Sequence, residues 1–197
     1  MTKNIHPIFN QILDRKSKED LLNQHAVVIW LTGLSGSGKS TLARGLEAKL
    51  HQIGVLTKLL DGDNLRTGLN KNLGFSEQDR EENIRRVAET AKLFIDSGVV
   101  TICSFVSPTI EIRKMAADII GRNDFLEVMV EASFDACAAR DVKGLYKKAL
   151  IGEIKNFTGL DAPFEVPKQP FLRIDTENLS IEESIDLLYK SVIKKIK

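Results

Sequence analysis

Between residues 25 and 31 the side chains Ala26, Val27, Val28, Ile29, Trp30 and Leu31 follow one another without a polar break. A strand with one wet face alternates apolar and polar positions, so an uninterrupted run predicts a central parallel strand covered by helices on both sides. Shorter apolar runs recur at residues 55–60, 99–104, 125–130 and 171–174. Helical periodicity fills most of the gaps. In residues 41–53, Leu42, Leu46 and Leu50 stand four apart and Gly54 follows as a stop. In residues 76–96, Ser76 precedes an acidic first turn and Gly98 follows the end. There Ile84, Val87, Ala88, Ala91, Phe94 and Ile95 form a core-facing stripe. Strand and helix in alternation predict an α/β fold, a parallel sheet flanked by helices on both faces.

The pattern is weaker at two places. Residues 1–24 are polar and mixed in charge, with Pro7 and a short helix expected around residues 17–23; they read as a lead-in segment without chemistry, ahead of one domain at residues 25–197. Residues 141–170 carry Gly144, Gly152, Gly159, Pro163, Pro167 and Pro170 between a helix and the last strand. A connection that long in a compact domain predicts a mobile lid. It is locally basic, with Lys143, Lys147, Lys148, Lys155 and Lys168 following Arg140. The whole chain is not: 28 Lys and Arg against 27 Asp and Glu leave a net charge of +1. No overall field draws it to nucleic acid or to an anionic membrane. Cys103 and Cys137 lie in apolar surroundings without metal or redox spacing, as expected of reduced, buried thiols. Residues 1–7 lack the apolar core of a secretory signal, and no run approaches the roughly 20 apolar residues of a spanning helix. The expectation is a soluble, cytoplasmic protein. His6, His25 and His51 are scattered without metal-ligand spacing and are expected to be structural.

The chemistry begins after the first strand. Gly33-Leu34-Ser35-Gly36-Ser37-Gly38-Lys39-Ser40 is a complete phosphate-binding P-loop, lying between a predicted buried strand and a predicted helix. Its glycines let backbone N–H groups turn inward, and the helix N-terminus adds partial positive charge. Lys39 is placed to reach the β- and γ-phosphates, and Ser40 to offer a hydroxyl to Mg²⁺. The ATP-binding set is therefore Gly33, Leu34, Ser35, Gly36, Ser37, Gly38, Lys39, Ser40 and Thr41.

Asp61-Gly62-Asp63-Asn64 ends the second strand, where the carboxyl ends of strands in open α/β sheets line the ligand crevice. One carboxylate suits a magnesium water and the other an attacking hydroxyl. A helix-capping Asp-Gly turn explains the same residues. A guanine-reading Asn-Lys-x-Asp is absent, since Asn70-Lys71-Asn72-Leu73 ends in leucine. Asp118-Ile119-Ile120-Gly121 falls at a predicted helix end, out of reach of a nucleotide.

Further strings make the pattern specific. They are Asp61-Gly62-Asp63-Asn64-Leu65-Arg66, Leu73-Gly74-Phe75-Ser76 with Asp79-Arg80, Glu82-Asn83-Ile84-Arg85-Arg86, Ser104-Phe105-Val106-Ser107-Pro108, Arg140-Asp141 with Lys143-Gly144-Leu145-Tyr146, and Phe157-Thr158-Gly159. From about residue 25 onward the chain resembles the adenylylsulfate kinases. Val106 stands where that family more often has Ile, and Val142 where it usually has Pro. The resemblance implies transfer of the ATP γ-phosphate to the 3′-hydroxyl of adenosine 5′-phosphosulfate, a step of sulfate activation. It implies Arg66, Phe75, Arg80 and Asn83 as binders of that acceptor, with Asp63, Val106, Lys143 and Phe164 beside it, and Arg140 near the ATP adenine. It also implies a homodimer, and it marks Ser107 as a candidate phosphoserine intermediate. No base for Ser107 is identifiable in the sequence, so a contact or loop-shaping role with direct transfer is expected instead. Arg85 and Arg86 read as a solvated helix face. A nucleoside monophosphate kinase is the nearest rival, and a nucleotide-binding regulator without turnover is another; paired Asp61 and Asp63 and the lid speak against the second.

Overall fold

In the computed structural model, which describes residues 4–197, five parallel strands form one sheet in the order β2-β3-β1-β4-β5. The first three positions of the lead-in segment lie outside the described residues. The strands are β1 (Val28–Thr32), β2 (Thr57–Asp61), β3 (Val100–Ser104), β4 (Phe125–Glu131) and β5 (Leu172–Asp175). The helices are α1 (Arg15–Leu22), α2 (Lys39–Gln52), α3 (Gly62–Arg66), α4 (Glu77–Ile95), α5 (Ile110–Ile120), α6 (Phe134–Arg140), α7 (Leu145–Leu150) and α8 (Ile181–Ile196).

Strand β1 is apolar from Val28 to Leu31 because its two faces feed two separate cores. Val27, Ile29 and Leu31 pack with Leu42, Leu46 and Leu50 of α2 and Leu188, Val192 and Ile196 of α8. Val28 and Trp30 pack on the opposite face with Ile84, Val87, Ala91 and Ile95 of α4 and Ala116 and Ile120 of α5. Trp30 is sandwiched between Phe105 and Phe125, with ring centroids 5.7 and 5.5 Å away. Full burial of such side chains contributes about 1.5–3 kcal/mol each, so the central strand is where the sheet is most firmly held.

Element boundaries move where backbone hydrogen bonds outcompete apolarity. β2 begins at Thr57 because the Val55 N–H donates to Leu50 O and closes the end of α2. As an edge strand β2 is half exposed, whereas β1 and β3 are buried along their whole length. Helix α2 starts at Lys39, two residues before the sequence places it, because Gly38 at φ 100° turns the chain and its carbonyl accepts from Leu42 N at 3.0 Å. Ser76 caps α4 as expected, accepting from Asp79 N. Arg122 and Asp118 form an exposed pair at the end of α5, so the Asp118 to Gly121 string is a helix stop.

The lead-in helix α1 is capped by Asp14 and tied down by Arg15, which donates to Glu19 and Asp124 and to the Ala26 carbonyl. His25 completes this cluster, 3.1 Å from Glu19. Buried Gln24 joins the entries to β2 and β3: its amide donates to Leu56 O and Gly98 O and accepts from Leu56 N. Both cysteines are free and buried.

The order β2-β3-β1-β4-β5 sends the chain from β1 outward past β3, and later from β3 back across β1 to β4. This reversal opens a crevice at the carboxyl end of β1, the place where open parallel sheets bind ligands.

Candidate active site

The loop after β1 fits the sheet without slack. A Cβ on Gly33, whose φ is 153°, would lie 2.3 Å from the Val130 carbonyl oxygen of β4, so no larger residue fits there. On the lid side the Tyr146 hydroxyl donates to Ser35 O at 2.7 Å. The loop is thus gripped from β4 and from α7, with its concave side open. Leu34 turns its side chain away from the concave side, into the small core of Cys137, Tyr146, Ala149 and Phe157. Gly33 and Leu34 can serve a phosphate only through their backbone.

Lys39 is buried, and its ammonium donates to Gly33 O at 3.0 Å and Leu34 O at 2.7 Å. Burial, helped by the nearby charge of Lys143, pushes its pKa down to about 8, against the pull of Asp61 and Asp63. Two carbonyls do not replace an anion, so the site holds a cation short of its partner. Next to it, the Ser40 hydroxyl donates to Asp61 Oδ2 at 2.7 Å and lies 3.2 Å from Ser104 Oγ. These are hard oxygen donors at the foot of the phosphate loop, a set that fits Mg²⁺ and its retained waters. Asp61 also caps α3, accepting from Asp63 N at 3.1 Å. The capping reading of Asp61 holds, and its second carboxylate oxygen, bonded to Ser40, is turned toward the phosphate loop. Asp63 faces across the cleft and pairs with Lys143 of the lid segment.

Opposite the loop, α3 and the start of α4 bring Arg66, Phe75, Arg80 and Asn83 to one wall. The Arg66 guanidinium lies 4.2 Å from the centre of the Phe75 ring and donates to Leu73 O and Gly74 O. Arg80 donates to Phe75 O at 2.9 Å, Thr158 Oγ1 at 2.9 Å and Asn156 O at 2.6 Å. Every one of these acceptors is a neutral oxygen. Burial lowers the pKa of both arginines, and the charge of Arg66 lowers that of Arg80 further. Phe75 leaves 64% of its surface exposed to the cleft and solvent. Asn83 accepts from Asn70 Nδ2 at 3.0 Å.

The cleft between the two walls holds about 1070 Å³ and is also lined by Thr41, Val106, Arg140 and Lys143. Its volume exceeds that of a typical small-ligand pocket and suits two nucleotides. Arg140 donates to Gly36 O and to Thr176 O and Oγ1. Thr176, which the sequence reading missed, hydrogen-bonds Ser37 O at 2.9 Å. Its position directly after an apolar run, at a strand's carboxyl end, was the available signal. Arg85 and Arg86 pair with Glu82 outside the cleft.

Of the residues expected beside the acceptor, Phe164 alone does not line the cleft. Phe164 lines a separate recess of about 430 Å³ with Leu34, Met129 and Leu160, away from Arg66 and Phe75. It is held there because the adjacent Glu165 hydrogen-bonds Pro108 and Ile110. Ser107 borders the cleft but is 2% exposed, at φ 37°. Its hydroxyl accepts from Trp30 Nε1 at 3.1 Å and donates to Thr32 Oγ1 at 3.0 Å. No carboxylate or imidazole hydrogen-bonds that hydroxyl, so the activating base that a serine nucleophile needs is not beside it. No helix among the described residues is long and apolar enough to cross a membrane.

Comparison with known proteins identifies the family. The adenylylsulphate kinase family model matches residues 25–175. An adenylyl-sulfate kinase of Bacteroides thetaiotaomicron is 60% identical over 192 residues, 98% of this chain and 96% of its own. The structure of the Mycobacterium tuberculosis APS kinase CysC in complex with AMPPNP and APS superposes with a TM-score of 0.83 at 43% identity, over 86% of this chain and 98% of that one. The hexameric APS kinase from Thiobacillus denitrificans has a TM-score of 0.66 at 30% identity, over 87% of this chain and 29% of that one.

The buried ammonium gives opposite signs for stability and activity. Unfolded Lys39 holds its proton up to about pH 10.5, whereas the folded group gives it up near 8. Folding without a ligand is therefore penalised fully below pH 8, and the penalty fades as pH rises from 8 toward 10.5. Lys39→Ala should raise the thermal midpoint of the ligand-free protein at pH 7, by a margin that shrinks over that window. The same variant should lose on the order of 10² to 10³ or more in turnover. Thermal scans across pH alongside a rate assay check both; a variant less stable than wild type at pH 7 contradicts the burial argument.

Proposed function

The chain belongs to the adenylylsulfate kinase family, and on that premise we propose that it transfers the γ-phosphoryl group of ATP to the 3′-hydroxyl of adenosine 5′-phosphosulfate. The products are ADP and 3′-phosphoadenosine 5′-phosphosulfate. The observation that carries the acceptor assignment is the wall facing the P-loop, where Arg66 and Arg80 bond only neutral oxygens beside an exposed Phe75. Two guanidinium forks without a carboxylate suit the phosphate and sulfate oxygens of the acceptor, and the ring suits its adenine.

In this reading the inward N–H groups of residues 33–40 hold the ATP phosphates, and Lys39 exchanges its two carbonyls for phosphate oxygens. Ser40 would hold Mg²⁺, with Asp61 and Ser104 fixing its waters; the ion supplies charge neutralisation between the phosphates. Asp63 accepts a hydrogen bond from the 3′-hydroxyl and takes its proton as the oxygen bonds to the γ-phosphorus. The bond from that phosphorus to the β-γ bridging oxygen breaks, and the electron pair leaves with ADP. Lys143, paired with Asp63 across the cleft, holds that carboxylate in place. Arg140, beside Gly36 and Thr176, borders the adenine of ATP. The segment at residues 141–170 acts as the lid: Arg80 already holds its Asn156 and Thr158, and closure excludes water that would otherwise take the phosphoryl group.

The homodimer implied by the family resemblance is also proposed. It is supported by Ile5, Ile8, Phe9, Ile12 and Leu13, which are 52–82% exposed and would gain from a covering surface. Sedimentation equilibrium at micromolar concentration should give twice the 22.0 kDa chain mass; the single-chain mass would overturn the proposal.

The activity itself is tested by mass spectrometry of products formed with MgATP and either adenosine 5′-phosphosulfate or AMP. Phosphorylation of the sulfated nucleotide with little product from AMP is expected. Preference for AMP would make the chain a nucleoside monophosphate kinase.

A further inference from the structure

Arg113, in the first turn of α5, is 3% exposed, yet its guanidinium bonds three separate parts of the chain. Nε donates to Glu127 Oε1 of β4 at 2.7 Å, Nη1 to Ser107 O at 2.7 Å, and Nη2 to Glu165 O at 2.6 Å. Its plane lies 5.8 Å from the centre of the Phe164 ring. Glu127 stands in register with Trp30, so the ion pair is anchored on β4, directly beside the buried central strand. A buried pair of this kind stabilises a fold no better than apolar residues of the same volume. What it offers instead is geometry, because a planar fork fixes the relative positions of everything it touches.

The two groups fixed to that anchor are the loop at residues 106–108 on the acceptor side of the cleft and the exit of the lid segment at residues 164–166. Further bonds join the same two stretches directly: Glu165 N donates to Pro108 O at 2.8 Å, and Ile110 N donates to Glu165 Oε2 at 2.6 Å. Ser107 needs such holding, since a non-glycine residue at φ 37° is strained. We infer that Arg113 is a positioning residue for the acceptor, welding the Val106–Ser107 wall and the Phe164 end of the lid to the sheet as one body, so that the lid moves only upstream of residue 164. This rests on the acceptor assignment proposed above. The P-loop has no bond to Arg113, so the ATP side should not sense its loss.

The test compares wild type with Arg113→Lys, whose single nitrogen cannot span three acceptors, and with Glu165→Ala, an exposed change that removes the Ile110 bond without burying a cavity. For both, KM for adenosine 5′-phosphosulfate should rise, by about tenfold or more for Arg113→Lys, while KM for ATP stays within about twofold. Amide hydrogen exchange should quicken together in residues 106–110 and 164–167 and remain unchanged in residues 33–40. Equal changes in both KM values, or no change in either, would overturn the inference, as would exchange that quickens in only one of the two stretches. If Arg113→Lys does not fold, Glu165→Ala decides by the same criteria. A wild type that does not phosphorylate the sulfated nucleotide would defeat the acceptor assignment and the acceptor role with it, whereas uncoupled exchange would defeat the weld alone.

Discussion

The close approach of the loop after β1 to the backbone of β4 sets the position of the other groups in the cleft. With a hydrogen atom in place of a side chain at Gly33, the chain passes against the Val130 carbonyl and turns back to start α2 at Lys39. That turn puts the ammonium of Lys39 inside the loop and the hydroxyl of Ser40 within reach of Asp61 at the end of β2. Since β2, β3 and β1 are adjacent and in parallel register, Asp61, Ser104 and the loop emerge side by side. One backbone contact at the sheet thus fixes the spacing between the loop, the Ser40 hydroxyl and the Asp61 carboxylate.

The cost of this arrangement is a ligand-free cleft with poorly compensated charge. Lys39, Arg66 and Arg80 all satisfy their donors with carbonyl or hydroxyl oxygens. Such hydrogen bonds keep the side chains oriented but do not offset desolvation of a cation as an anion would. Binding of anionic substrates then relieves a penalty already built into the fold, which is a direct route from structure to affinity. The lid segment is folded chain and not loose loop, since Tyr146 and Phe157 pack into a small core that also takes in Cys137 and Leu34.

Features set by local chemistry were legible in the sequence. The doubly apolar run of β1, the P-loop, the Ser76 cap of α4 and the glycine stop after α2 each depend on a few consecutive residues. What escaped depends on contacts between distant segments. β2 starts late because Val55 closes α2, and Phe164 sits in its own recess because Glu165 is tied to Pro108 and Ile110. Thr176 meets the P-loop 139 positions away in sequence. The buried pair of Arg113 and Glu127 has no periodicity that distinguishes it from a solvated helix face. Asp61 was legible in two ways, as cap and as cleft carboxylate, and the geometry shows one oxygen capping α3 while the other accepts from Ser40.

Ser107 is where chemistry and position pull apart. It stands at the cleft, as a covalent relay would require, but its hydroxyl is committed to Trp30 and Thr32 and no base approaches it. Direct transfer needs only groups already aligned, namely the loop, Lys39 and a carboxylate for the acceptor proton. The stereochemical course with ATP made chiral at the γ-phosphorus distinguishes the two. A single in-line displacement predicts inversion at phosphorus, and retention would contradict the account by requiring a phosphoenzyme.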